Sequence, residues 1–369
     1  MLGERASICP LPPHLLYWAS ETRPFDLFRK PHMAALEPLV TVDELRDRLK
    51  RFHRLKLANL PTPLLDYPRL SDALGGPRLL VKHEDYTGLA LGGNKIREFE
   101  YSVAPAVQEG YDVLLHGAAS QSNQSRVTAA VAARLGLEAV MVGKKDQKSE
   151  TVNGNFLLTH LYGADVNLIE SKEDRDAVIK RLEGEGKRVY DTSTDGYYLR
   201  SVSYVDGFIE LWGQLQAMDV VPDGLYVCSG VHTHVGLVVG ARVLGVDLRI
   251  VGISPSPQDD AEDRKHLAGV ANTVAGMLDI ETTFTEADFE SYGAYAGEEY
   301  GRMTDAVRDA VLFAARTEGL TLEPVYTGKT FAALIDHIEE GQWKKGQTVV
   351  FVHTGGTPAI FAYGEELLK

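Results

Sequence analysis

Leu79-Leu80-Val81-Lys82-His83-Glu84-Asp85, followed shortly by Gly92-Gly93-Asn94-Lys95-Ile96-Arg97, is the stretch on which the fold reading turns. The apolar triplet reads as a strand that runs into polar residues, and the glycine pair reads as a turn. Beyond the turn, Ile96, Phe99, Val103 and Val107 recur three or four apart, with Arg97, Glu98 and Glu100 between them, which predicts an amphipathic helix. Lys95 therefore stands at the mouth of a helix, one short connection off a strand end. In open α/β sheets ligands collect at that edge. A lysine amine held there can carry a carbonyl cofactor as a Schiff base; the plainer alternative is a surface turn with a solvated lysine.

Working outward, short apolar runs alternate with helical stretches. Strands are predicted at 79–81, 112–115, 139–142, 166–169, 225–228, 248–253 and 349–352, and helices at 124–135, 156–162, 174–182, 234–244 and 329–338. This is the pattern of crossover connections over mainly parallel sheets, and 369 residues are enough for two domains. Residues 191–200, rich in Thr, Ser, Asp and Tyr, read as a loop before a helix near Tyr204. Residues 255–264 read as an acidic connection, and 278–300 as a peripheral excursion with little period. The first fifty residues, with a short charged helix around 42–49, read as an arm or cap.

The chain carries 52 acidic and 38 basic residues, a formal charge of −14, and no sustained Lys/Arg block, which argues against a nucleic-acid partner. Its two cysteines, Cys9 and Cys228, are too few for a disulfide framework or a thiolate metal cluster. The first residues lack a basic segment followed by a long apolar one, and no apolar run reaches membrane-spanning length. A soluble cytoplasmic protein without a membrane partner is the expectation.

Three further runs carry candidate chemistry. Gly117 to Arg126 follows a strand and enters an alanine-rich helix. The unpaired N–H groups of such a start make an anion site, to which Ser122, Asn123, Gln124 and Ser125 add side-chain donors; ordinary N-capping by Ser122 or Asn123 is the alternative. Ser229-Gly230-Val231-His232-Thr233 has the same placement and suits a phosphate. His232 could donate to an anion, bind a metal with His234, or cap the helix; a metal is the weakest of these, since no paired carboxylate or thiolate stands nearby. Near the C-terminus, Tyr326 could serve as a proton donor or base if a cation lowers its pKa, and Thr354 could meet a ring nitrogen. Taken alone, Tyr326 also fits a packed aromatic, and Lys329 a solvent-facing or anion-pairing side chain. The Gly-x-Gly-x-x-Gly fingerprint and the Walker lysine motif are absent, so nicotinamide and nucleoside-triphosphate readings fall.

Together Leu60-Pro61-Thr62-Pro63-Leu64, the run 81–100 around Gly-Gly-Asn-Lys-Ile-Arg, the run 121–126, and Val325-Tyr326-Thr327-Gly328-Lys329 with His353-Thr354-Gly355-Gly356 resemble the pyridoxal-phosphate enzymes of the D-cysteine desulfhydrase and 1-aminocyclopropane-1-carboxylate deaminase family. The likeness extends from about residue 58 to 363. It implies an α/β fold of the tryptophan-synthase-β kind (fold type II), with two open, twisted, mainly parallel sheets flanked by helices. The implied division is an arm at 1–55, a large cofactor-binding domain of 56–97 and 210–369, and a small domain of 98–209. A homodimer is the implied assembly.

Carried over residue by residue, the resemblance implies that Lys95 carries pyridoxal 5'-phosphate and that Asn123 bonds its 3-hydroxyl. Ser122, Gln124 and Ser125 face the substrate carboxylate, Ser229, Gly230, Val231, His232 and Thr233 hold the phosphate, Tyr326 stands over the substrate, and Thr354 approaches the pyridine nitrogen. Departures exist. Ser-Gly-Val-His-Thr is one residue shorter than the serine- and glycine-rich turn usual in relatives, Asn123-Gln124 replaces an Asn-His pair, and Thr327 stands where the deaminase branch has glutamate, which argues against cyclopropane opening. The implied reaction is α,β-elimination from a small β-substituted amino acid, giving a 2-keto acid and ammonia, with Lys95 taking the α-proton. A cyclopropane-opening or β-replacement enzyme is the first alternative, and a non-catalytic homologue that keeps the cofactor is the second. A two-domain solute-binding protein would need a secretory segment.

Overall fold

The computed structural model describes residues 37–369. Most of the predicted arm, residues 1–36 with Cys9, lies outside the described residues. Of its remainder, the Val42–Leu49 helix opens on a capping box in which Thr41 and Glu44 exchange side chain-to-backbone bonds. Leu45 and Leu49 bury one face of that helix in the large core, and Arg48 donates to the carbonyl of Leu278 at 2.9 Å.

Among the described residues ten strands form two sheets: β1 (Leu64–Asp66), β2 (Arg78–His83), β3 (Val113–His116), β4 (Glu138–Lys144), β5 (Asp165–Ile169), β6 (Val189–Asp191), β7 (Gly224–Cys228), β8 (Arg249–Ile253), β9 (Glu290–Tyr292) and β10 (Thr348–His353). The larger sheet runs β1-β2-β10-β7-β8-β9, parallel except for β1, and the smaller runs β5-β4-β3-β6, parallel throughout. Parallel strands buried on both faces read as unbroken apolar runs, because alternate side chains enter different cores. In β10, Val350 and Val352 pack with Val235 and Phe208 on one face, while Val349 and Phe351 pack with Phe331 and Val311 on the other. In the smaller sheet, Leu114 and Met141 face one cluster and Leu115 and Val142 the other.

All seven expected strands are present within a residue or two. Three short ones, β1, β6 and β9, escape the reading. β9 corrects the view of 278–300 as peripheral: it hydrogen-bonds to β8 as the edge of the larger sheet, and Glu290 on it pairs with Arg249 at 2.6 Å. The supposed connection at 255–264 is partly helical, since Asp259 caps a helix Asp260–Met277 whose first-turn acids suit the positive end of its dipole. Likewise the loop at 191–200 ends early, because the Tyr197–Ala217 helix already includes its last four residues.

The helix bearing Lys95 departs from the expected pattern twice. It spans Asn94–Ser102 and breaks at Val103 ahead of Pro105, which leaves Val107 exposed on a separate short helix. Moreover, Arg97, Glu98 and Glu100 do not form a solvated face, since all three are buried. Arg97 grips Glu84 through two bonds of 2.8 and 2.9 Å and reaches Glu210 at 2.9 Å, while Glu84 also accepts from Thr62 and Tyr204. Glu210 meets Lys82 at 2.5 Å. One buried charge network therefore ties the end of β2 to the Lys95 helix and to the Tyr197–Ala217 helix.

That last helix lies along the His232–Val243 helix. A Cβ at Gly236 would collide with the Ser201 carbonyl and Tyr204, and one at Gly240 would meet Phe208 at 2.6 Å. Positions 201 and 236, and then 208 and 240, are thus paired in the same order along both helices. The two run parallel, with both N-termini at the same end.

Candidate active site

Four of the runs singled out in the sequence begin where a parallel strand ends: Glu84 after β2, Gly117 after β3, Ser229 after β7 and Thr354 after β10; Val325–Lys329 instead enters the Thr327–Glu339 helix from a loop. The ends of parallel strands in two sheets converge on one cleft, the place such folds use for ligands. Gly93 (φ +115°) lets the chain turn directly into the Lys95 helix, and the Asn94 amide donates to the Thr354 carbonyl at 2.9 Å. The lysine helix and the β10 end are thus held against each other. Across the cleft, the Asn94 side chain donates to the Thr233 hydroxyl at 3.0 Å, and that hydroxyl reaches Glu98 at 3.2 Å. Lys95, on a half-buried side chain, directs its amine at both oxygens of Glu98, each at 2.9 Å.

On the β3 side, Ser122 caps the Asn123–Leu135 helix by accepting from the Ser125 amide at 3.3 Å, so the capping alternative holds for this residue. Asn123 accepts from Asn155 at 2.8 Å. Its amide nitrogen faces Gly356, where a Cβ would approach within 2.8 Å, and the same Cβ would meet Glu323 at 2.9 Å. Gln124 donates to the Thr192 carbonyl at 3.0 Å and stands beside His116. Ser125 is buried one turn into the helix.

The phosphate-type loop is tight. Val231 adopts φ +74° and ψ −74°, and the His232 amide returns to the Gly230 carbonyl at 3.1 Å. This is a γ-turn, costly for a β-branched residue by about 1–3 kcal/mol. No side chain caps the His232–Val243 helix. The Thr233 and His234 N–H groups are therefore left as open donors at the helix start, while the Thr233 hydroxyl donates to Glu98. His232 and His234 make separate contacts: His232 meets Ser201 at 3.2 Å, and His234 meets Ser229 at 3.0 Å. Burial, helped by the charges of Arg200 and Lys95, holds His232 well below its ordinary pKa, so it offers no positive charge. Among the described residues no cluster of three or more His, Cys, Asp or Glu is placed to hold a metal ion.

Two expectations are corrected here. Tyr326 has no cation to lower its pKa. Burial of its hydroxyl end, with Tyr300 hydrogen-bonded to it and Glu323 nearby, pushes the phenol well above its ordinary range, so it stays protonated. Lys329 does not face solvent: it is fully buried and donates to the carbonyls of Pro255 and Ala296 at 2.9 and 2.7 Å, and burial lowers its pKa to about 8.

Four residues of the site were missed. Glu98 enters the sequence reading only as a position between the apolar ones, although a carboxylate three residues beyond Lys95 can reach its amine along one helix face. Glu323 accepts from the amides of Val325, Tyr326 and Thr327, each at 2.8 Å, and fixes the entry to the Thr327–Glu339 helix. Burial raises its pKa to about 7 against those bonds. Tyr300 lies in the stretch taken as peripheral. Arg200 gave no signal at all.

The donor set fits a phosphorylated aldehyde. It includes an accessible amine, an uncapped helix start with a hydroxyl, and a buried guanidinium, Arg200, whose Nε and Nη2 have no hydrogen-bond partner. A buried guanidinium with unbonded donors beside an uncapped helix start is the arrangement such a group completes.

A profile of the family described as "Pyridoxal-phosphate dependent enzyme" matches residues 55–355. D-cysteine desulfhydrase of Salmonella typhi is 37% identical over 324 residues, which cover 85% of this chain and 97% of that protein. A crystal structure of an ACC deaminase homologue superposes with a TM-score of 0.79 at 30% identity, over 88% of this chain and 98% of the other. Diaminopropionate ammonia lyase of Escherichia coli shares the fold, with a TM-score of 0.61 at 16% identity over 90% of this chain and 92% of the other.

Proposed function

Since the chain belongs to the pyridoxal-phosphate dependent enzymes, we propose that it eliminates the β-substituent from a small amino acid, D-cysteine or a sulfonated analogue, releasing a 2-keto acid and ammonia. The observation that carries this reading is the Lys95 amine on Glu98, whose carboxylate also takes the Thr233 hydroxyl from the uncapped start of the His232–Val243 helix. When bound, pyridoxal 5'-phosphate withdraws electrons from the substrate's Cα, which makes the α-proton removable.

The remaining work falls to the chain. Lys95 is the base that takes the α-proton, and Glu98 orients its amine. The start of the Asn123–Leu135 helix, with Ser122, Gln124 and Ser125, receives the substrate carboxylate. Asn123, held by Asn155, and the Thr354 hydroxyl address the ring. Tyr326 stays protonated and donates to the departing substituent. Overall the β-substituent leaves as its conjugate acid, and one water replaces the amino nitrogen, which leaves as ammonia. Cyclopropane opening is disfavoured by Thr327, whose hydroxyl is tied into the helix entry by the Glu323 amide at 2.9 Å. The division into a large lobe (56–97 with 210–369) and a small one (98–209), and a homodimeric assembly, belong to the same reading. No helix among the described residues is long and apolar enough to cross a membrane.

The test is the visible spectrum of the protein incubated with pyridoxal 5'-phosphate, before and after borohydride, followed by β-substituted D- and L-amino acids. A reducible band, with equal amounts of keto acid and ammonia from one of those substrates, is expected. A protein that develops no band is not this enzyme. Tyr326→Phe is expected to keep the band and lose roughly 100-fold in kcat. Because the phenol is pushed up, the pH profile of the native enzyme shows no limb from its ionisation below about pH 9. An acidic limb that disappears in the variant would assign Tyr326 the role of base.

A further inference from the structure

We propose that Arg200 is the cationic anchor of the cofactor's phosphate, which it binds directly across the start of the His232–Val243 helix. The assignment rests on the functional reading above and adds to it a residue from outside the loop. Arg200 lies in the first turn of the Tyr197–Ala217 helix and is 5% exposed. Its Nε and Nη2 are enclosed by protein and bonded to nothing. Native proteins pair buried charges, so a guanidinium left in this state points to a partner that arrives from solution.

The position identifies the partner. Ser201, the next residue, holds His232 at 3.2 Å, and the Tyr197 ring meets the His232 ring at 4.4 Å between centroids, so this turn is docked on the phosphate-type loop. The parallel packing of the two helices puts both N-termini at one end, where both dipoles favour an anion. A phosphate monoester brings nearly two negative charges. His232 cannot answer them, because burial keeps it neutral, and Lys95 is committed to the aldehyde. Glu98 adds a negative charge of its own at the Thr233 hydroxyl. Arg200, whose charge acts on Glu98 on one side and on His232 and His116 on the other, is the cation placed to balance them. A guanidinium also offers two parallel N–H bonds, which suits a phosphate better than a single ammonium does.

The experiment compares uptake of pyridoxal 5'-phosphate with uptake of pyridoxal, the same aldehyde without the phosphate, by the cofactor-free native protein, Arg200→Met and Arg200→Lys. Uptake is read from the visible band and from the mass of the intact protein after borohydride. Arg200→Met is expected to lose roughly 10–100-fold in affinity for the phosphorylated aldehyde. Its affinity for pyridoxal stays unchanged, which also shows that the variant is folded, and Arg200→Lys recovers part of the loss. An Arg200→Met protein that keeps the native preference for the phosphate overturns the assignment. So does one in which only KM for substrates with an anionic side chain rises, which would place Arg200 against the substrate. A native protein that takes up neither aldehyde overturns the functional reading itself, and is recognised without any variant.

Discussion

Lys95→Ala is expected to abolish turnover, with kcat lowered by at least roughly 1,000-fold, while the fold persists. Two roles are lost together, the covalent seat of the cofactor and the base at Cα. Among the described residues no other amine stands ready to replace it. Lys82 is spent on Glu210 and the Thr62 carbonyl, and Lys329 is sealed between two carbonyls. The fold persists because Glu98, though buried, keeps the Asn94 side-chain amide and the Thr233 hydroxyl as donors when Lys95 is removed. The check is the rate of keto-acid formation beside the far-ultraviolet spectrum and the melting curve. A folded variant that retains a tenth of native activity would remove Lys95 from the mechanism.

Arg97→Met should produce the largest loss of stability among single substitutions near the site, about 3–5 kcal/mol. Glu84 is buried, and although desolvation alone would raise its pKa, Arg97, Lys82 and Thr62 bring it down to about 2. Without Arg97 the carboxylate keeps weaker partners in a place that water does not reach. The sign of the pH dependence follows. Glu84 titrates lower in the folded chain than in the unfolded one, so its contribution is complete above about pH 4.5 and is lost as the pH falls toward 2. Denaturant melts should therefore show the native protein losing stability through that window and Arg97→Met losing less. The double variant Glu84→Gln/Arg97→Met is expected to recover part of the loss, since it removes both charges together. A cost below about 1 kcal/mol for Arg97→Met would mean that the network is solvated after all.

The sheets were legible because parallel strands buried on both faces leave continuous apolar runs. β1, β6 and β9 were not, because three residues with polar neighbours carry no such run. The Asp260–Met277 helix was hidden by the acids at its start, which are features of a helix N-terminus and were taken for a loop. Lys95, Asn123 and Thr354 were readable as residue types in strand-to-helix turns. The burial of Arg97, Glu98 and Arg200 was not readable, because a charge can be buried only beside partners that are distant in sequence: Glu84 and Glu210 for the first, Thr233 for the second, and a ligand for the third. The direction of the Tyr326 shift failed for the same reason, since its neighbours Tyr300 and Glu323 come from other segments.

The glycines at 236 and 240 act on cofactor retention from a distance. They set the gap between two parallel helices, and that gap sets how far Arg200 stands from the donors of the neighbouring helix start. A side chain at either position would widen it and move the guanidinium off an oxygen that neither residue touches. Selection for tighter or looser cofactor exchange thus has a handle inside the protein, and variants recovered by such selection need not map to the cleft.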